Sequence, residues 1–224
     1  MALLGTGAVA IWHDIAEEGR EEFYAWHGRE HMPERVAIPG FNRGRRYVAL
    51  AARAEFFNLY EATDPAVLTG PDYLARLNHP TPWTVSTVRH FRNVARSVCR
   101  VLVSLGEGTG GLMATWRYAV ATQASARHAE AVAALLGELI ERPQVAAAHL
   151  LAADLAASST ETAERRARGG RNEVPPWILL VEGWGDVSPF DVLCREITTG
   201  GGLETTGVVG EAEYGLYRLQ AVAA

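Results

Sequence analysis

Lysine is missing from this chain: all 21 basic residues are arginine. A Schiff-base lysine, a lysine general base and a P-loop are thereby excluded. Cysteine is scarce, and Cys99 and Cys194 stand far apart with no CxxC spacing. They read as buried, reduced thiols rather than as a disulfide framework or thiolate metal site. No run approaches about 18 consecutive apolar residues, and no charged segment followed by a long apolar stretch opens the chain. A cytoplasmic protein with no membrane partner is expected. Basic charge is not in excess either: the net charge is −5 and the pI about 5.8. A nucleic-acid partner is therefore not expected, because sequence-independent binding needs a basic face.

What is present is ordinary globular material, 48% hydrophobic and 21% charged, enough for a real core. Residues 7–15 read as a buried strand whose alternation sends Val9, Ile11, His13 and Ile15 to one face and Trp12 and Asp14 to the other. Residues 17–35 have helical composition, with a break or kink expected at Pro33. Pro39-Gly40 marks a turn. Strands follow at about 41–51 and 55–62, then short helices over 66–78 and a strand at 93–104. This β-α-β-β-α-β order is that of a ferredoxin-like unit.

Gly106-Glu107-Gly108-Thr109-Gly110-Gly111 is the best boundary, dividing the chain into an N-terminal unit, 1–106, and a C-terminal unit, 107–224. The same order then repeats: strand 112–121, helix 125–141, strand 146–156, an exposed polar loop over 158–176, strand 177–184, helix 189–198 and strand 214–221. Trp12 and Trp116 read as equivalents, as do Leu59-Tyr60-Glu61 and Leu180-Val181-Glu182. The second unit's helix is rich in Ala and Leu, so any active chemistry is assigned to the first unit and a mainly structural role to the second.

The densest chemical stretch is Trp26-His27-Gly28-Arg29-Glu30-His31-Met32-Pro33-Glu34-Arg35. His27 to His31 matches the H-x-x-E-H pattern of inverted zinc peptidases, which makes a zinc hydrolase one reading. That chemistry needs a further acidic ligand downstream. Asp72 is the only acid between Asp64 and Glu107, and no metal is expected. A second reading is a solvated charged face. The third is a polar pocket between helix and sheet, with His31 as acid/base because imidazole titrates near neutrality. His27 and Glu30 would tune it. Arg46, Tyr60, Tyr47, Trp12, His13 and Trp83 are the candidate substrate contacts.

The run from Trp26 through Glu30-His31-Met32-Pro33-Glu34-Arg35, Pro39-Gly40-Phe41 and Arg45-Arg46-Tyr47, then Leu59-Tyr60-Glu61 and Pro80-Thr81-Pro82-Trp83, resembles the dimeric α/β-barrel superfamily. It looks closest to its EthD-like and related bacterial members. The resemblance implies an α+β fold of two tandem ferredoxin-like repeats whose antiparallel sheets close an intrachain barrel. It implies a small-molecule substrate and, as one expectation, a homodimer. The family includes cofactor-free monooxygenases, polyketide cyclases, isomerases and haem-binding members. No proximal haem histidine signature is seen and no cofactor is expected. Cofactor-independent isomerase, cyclase or monooxygenase chemistry on an aromatic or polyketide-like acid is the first expectation. A non-catalytic ligand-binding or stress-response barrel is the alternative.

Overall fold

The computed structural model describes residues 3–198 and 202–224. Among these residues eight strands form a closed antiparallel barrel: β1 (Gly7–Ile15), β2 (Phe41–Ala51), β3 (Phe56–Ala62), β4 (Phe91–Gly106), β5 (Leu112–Val120), β6 (Val145–Ala153), β7 (Trp177–Gly183) and β8 (Val208–Ala223). Around the barrel the order is β1-β3-β2-β8-β5-β7-β6-β4. Each repeat contributes one four-stranded sheet. The two seams, β2 with β8 and β4 with β6, are equivalent under the internal duplication. Closure leaves neither sheet a free edge.

The helices lie outside the barrel. Over the first sheet run α1 (Arg20–Trp26), α2 (Met32–Val36), α3 (Pro71–Asn78) and α4 (Pro82–Val88). The second sheet carries α5 (Ser125–Leu139) and α8 (Val187–Glu196), while the connection between β6 and β7 holds α6 (Leu155–Ser159) and α7 (Ala163–Arg168). That connection is more ordered than its polar, Gly- and Pro-bearing sequence suggests, and it lies against the first repeat. Ser158 is buried, accepting from the amide of Val98, and Glu173 exchanges backbone bonds with Val94 and Arg96. No helix among the described residues is long and apolar enough to cross a membrane.

Strand parity decides which residues face the barrel axis. Ala8, Ala10, Trp12, Tyr47, Phe57, Leu59, Met113 and Leu180 pack inside. Their alternates face the helices: Phe23, Trp26, Phe56 and Val88 form one cluster over the first sheet, and Val132, Leu136, Phe190 and Leu193 belong to another over the second. Burying one such leucine contributes on the order of 2–3 kcal/mol. Both cysteines are buried and unpaired.

Strand pairing also fixes the true equivalences. Ala8 faces Glu61 as Met113 faces Glu182. Counting on, Trp12 corresponds to Arg117, not to Trp116. Trp116 lies on the helix-facing side of its sheet, whereas Trp12 is inside the barrel. A slip of one residue in a strand exchanges faces. The 3-10 turns after the two strands, Glu17–Gly19 and Thr122–Ala124, keep the same count. His27 therefore corresponds to Val132, but Phe41 corresponds to Val145, so the first repeat holds one residue more between these points, the residue its π turn takes up, and His31 falls opposite the pair Leu135–Leu136.

Candidate functional site

Between α1 and α2 the chain does not break at Pro33. Residues His27–His31 instead form one π-helical turn, and Pro33 sits in the first turn of α2. Proline offers no amide and its ring crowds the carbonyl four residues back. Widening the turn before it accommodates both effects, and such π-bulges recur at functional sites. The turn brings the rings of His27 and His31 to 5.5 Å, both buried, with Trp26 at 4.2 Å from His31.

A cavity of about 130 Å³ opens beside them. Its floor is the outer face of the first sheet, with Ile11, Asn58, Tyr60, Val94, Arg96 and Val98. Trp26, His27, His31 and Arg35 form one wall, and Leu68, Tyr73, Leu74 and Leu77 another. The last wall comes from the second repeat: Thr162, Glu164, Arg165 and Arg168 of the α7 region and Asn172 beyond it. The two repeats are clasped there by an ion pair between Arg35 and Glu164. Burial pulls the Arg35 guanidinium down, but Glu164 and the neighbouring phenols and Glu34 hold it above its ordinary range.

His27 is fixed at both nitrogens. Arg46 Nη1 lies 3.2 Å from Nδ1, and Tyr60 Oη lies 3.3 Å from Nε2. A guanidinium only donates, so Nδ1 accepts and the neutral ring carries its proton on Nε2, toward Tyr60. The Tyr60 hydroxyl thus accepts from His27 and keeps its own proton for the cavity. Burial raises the Tyr60 pKa, so this phenol stays protonated. The Tyr60 ring packs close against Gly44: a β-carbon there would stand 2.9 Å from its Cε1, so a glycine makes room for the ring.

His31 is left open. Its Nδ1 is buried with no partner, which is costly unless a ligand or water satisfies it. Desolvation lowers the pKa of His27 and His31 well below the usual value. The positive charge of Arg46 adds to the effect at His27, and that of Arg35 at His31. Both rings are neutral near pH 7. His13 of β1 does not line the cavity; its Nε2 lies 2.9 Å from the Asn58 amide. It packs among Phe23, Phe56 and Phe91, and burial pulls its pKa down to about 3.

Several expected residues lie elsewhere. Glu30 points away from the histidines and accepts from the Thr81 and Thr84 hydroxyls at 2.6 and 3.3 Å. It helps hold the N-terminus of α4, where Thr81 is the N-cap. Tyr47 and Trp12 project inside the barrel, across the sheet from the cavity. Trp12 donates to Thr115 and lies beneath Arg117. Trp83 donates to Glu22 outside the cavity. Arg46 sits behind His27, stacked on Phe23 and Tyr24 and donating to Gln220 at 2.8 Å. Among the described residues no group of three or more His, Cys, Asp or Glu could hold a metal ion. Both His27 nitrogens are engaged and Glu30 serves Thr81, so these candidate zinc donors have other partners. Asn58, Arg96, Glu164 and Arg168 were missed; outward alternation on β4 could have found Arg96, but nothing local marks the others.

No family model and no curated protein sequence matches the chain. Solved structures do. An anthrone oxidase-like protein superposes with a TM-score of 0.64 at 11% identity, covering 98% of this chain and 93% of its own. A provisionally named monooxygenase from Fusobacterium nucleatum gives 0.59 at 8% identity, covering 97% and 94%. A haem-binding protein from Thermus thermophilus gives 0.54 at 11% identity, covering 97% and 92%. At such identities the likeness concerns the fold, and it spans both repeats. The chain has the dimeric α/β-barrel fold, with both ferredoxin-like units in one polypeptide.

Proposed function

We propose that the chain is a small-molecule enzyme whose cavity performs cofactor-independent proton transfer at an activated carbon, the step shared by isomerisation, cyclisation and carbanion oxygenation. One observation carries the reading: a neutral, buried His31 with a free ring nitrogen faces the same cavity as Tyr60. In this scheme His31 takes a proton from a carbon next to a carbonyl, and the electron pair of that C–H bond moves onto the carbonyl oxygen. The Tyr60 hydroxyl donates to the developing enolate, as an oxyanion-hole donor does. His27 holds Tyr60 in register through its fixed tautomer. Returning the proton from His31 to a second carbon completes an isomerisation. Burial keeps His31 unprotonated and available, while the imidazolium it becomes gains the enolate as counter-charge.

A non-catalytic barrel would be expected to have a wall of Trp and Leu without paired ionisable groups, and the Arg46–His27–Tyr60 chain argues against that. The anthrone oxidase-like neighbour shares the fold, which makes aromatic ketones with acidic C–H bonds sensible probes. Anthrone and a panel of β-diketones would be incubated with the protein in deuterated buffer, following C–H exchange by NMR and oxygen uptake with an electrode. Wild type should accelerate exchange, and His31→Ala should remove the acceleration. No acceleration over buffer with any probe would end the proposal.

A further inference from the structure

We infer that the ligand of this cavity carries a carboxylate that docks between Arg96 of β4 and Arg168 at the end of α7, opposite the wall formed by His27 and His31. The inference rests on the cavity being the working site and names the chemistry of what enters it. Charge pairing around the cavity carries it. Of the arginines lining the wall, Arg35 is neutralised by Glu164, and Arg165 lies 3.1 Å from Glu161. Glu34, the next acid, serves Arg76 at 3.0 Å and Arg35 at 3.5 Å. Among the described residues Arg96 and Arg168 have no such partner. Arg96 donates to the Tyr73 hydroxyl at 3.0 Å and Arg168 to the side-chain amide oxygen of Asn172, both uncharged acceptors.

Two half-buried guanidiniums thus line one cavity without an acid bonded to either. Each retains donors beyond its single bond, and a planar fork of N–H groups suits a carboxylate. Burial and then the charges of Arg96 and Arg165 pull the Arg168 pKa down to about 10, which a bound anion would relieve. Arg46 does not compete for this role, because its guanidinium is committed to His27 and Gln220. The apolar side chains Leu74, Leu77, Val88 and Val94 supply contact for a hydrocarbon or aromatic body. Since Arg168 belongs to the second repeat and Arg96 to the first, such an anion would bind the two repeats together across the cavity.

The test compares 2-naphthoate with 2-naphthamide, which have the same body and differ in the charge of the head. Affinities are measured by calorimetry at low salt on the full chain and on Arg168→Gln, Arg96→Gln and Arg100→Gln, each checked for folding by circular dichroism. Arg100 is exposed on β4 and absent from the cavity lining, so it reports the general effect of losing one positive charge. Wild type should prefer the acid by about tenfold or more, the scale of a charge-assisted hydrogen bond. Arg168→Gln and Arg96→Gln should each remove most of that preference, while Arg100→Gln retains it. Equal affinity for acid and amide, or an equal loss in Arg100→Gln, would overturn the carboxylate assignment and leave the cavity reading standing. If neither compound binds, both readings fall.

Discussion

Arg46 lies 3.2 Å from Nδ1 of His27, close enough for its guanidinium to dictate which nitrogen of the buried imidazole holds the proton. Because Nδ1 must accept, the proton is on Nε2, beside Tyr60. Long-range proton–nitrogen correlation spectra should show the Nε2–H tautomer for His27 at neutral pH. Arg46→Met should release the ring to a mixture of tautomers and cost about 1–3 kcal/mol, as expected for an orphaned buried acceptor. Arg46→Lys should not restore the wild-type spectrum, since an ammonium cannot stack on Phe23 and Tyr24 while bonding His27 and Gln220 together. A Nδ1–H tautomer in wild type would refute the assignment.

The buried histidines set an acid limit on stability. His13 has a folded pKa of about 3 against an ordinary 6.5, and His27 and His31 are also lowered. Between those values the unfolded chain binds protons that the folded chain does not, so stability falls as pH falls from about 6.5 toward 3. Each such histidine contributes a slope of about 1.4 kcal/mol per pH unit. Glu182 acts lower down: its carboxyl is held at about 2 instead of 4.5, so its stabilisation is full above 4.5 and is lost on further acidification. Urea unfolding from about pH 8 to 4 should show this slope, and His13→Phe should lower it by one proton. Unchanged proton linkage in that variant would refute the buried neutral assignment.

Inside the barrel the two repeats meet through charge. Arg45 stands 2.9 Å from Glu61 and 2.8 Å from Glu182, and His149 lies 3.2 Å from Glu182. Arg45 and His149 occupy equivalent strand positions, as do Glu61 and Glu182, so one duplicated pair has diverged into an asymmetric quartet. Burial pushes the Glu182 carboxyl up, but its bond to His149 and the charge of Arg45 hold it ionised. Arg45→Met should cost about 3–5 kcal/mol by leaving buried carboxylates without their shared cation. Glu61→Gln and Glu182→Gln should then be non-additive, because both act through Arg45. A double-mutant cycle measured by urea unfolding, with additivity within error, would reject the coupling.

The sequence made the element order legible because periodicity and Gly/Pro punctuation are local signals. It also showed that Arg46 and Tyr47 face opposite ways. It could not show which of them faces the site, because in a barrel covered by helices both faces of a strand are buried and the usual polar–apolar contrast is lost. Tyr47 and Trp12 were therefore expected at a cavity on the far side of the sheet. Tyr60 stood out through the separate run Leu59-Tyr60-Glu61, and His27 and His31 through their crowding in one motif. Glu30 shared that motif, yet the hydroxyls of Thr81 and Thr84 claim it. The contribution of the second repeat was invisible: α7 is short and polar, and it is ordered by contacts such as Arg35 with Glu164, far apart in sequence.

The internal duplication supplies a control for the proposed role of His31. In the corresponding turn the second repeat has only apolar residues, with Leu136 fully buried in an apolar cluster and Leu135 packed against it. If His31 served packing, leucine would be a poor substitute only for reasons of shape. If it serves chemistry, the protein tolerates a buried unpartnered Nδ1 at a cost to stability, and leucine should remove that cost. His31→Leu should therefore leave stability unchanged or raise it by about 0.5–1.5 kcal/mol, while abolishing proton exchange on the carbon-acid probes. Thermal and urea unfolding measure the first effect, and NMR exchange the second. A variant that is strongly destabilised yet retains exchange activity would reverse the assignment, making His31 a packing residue.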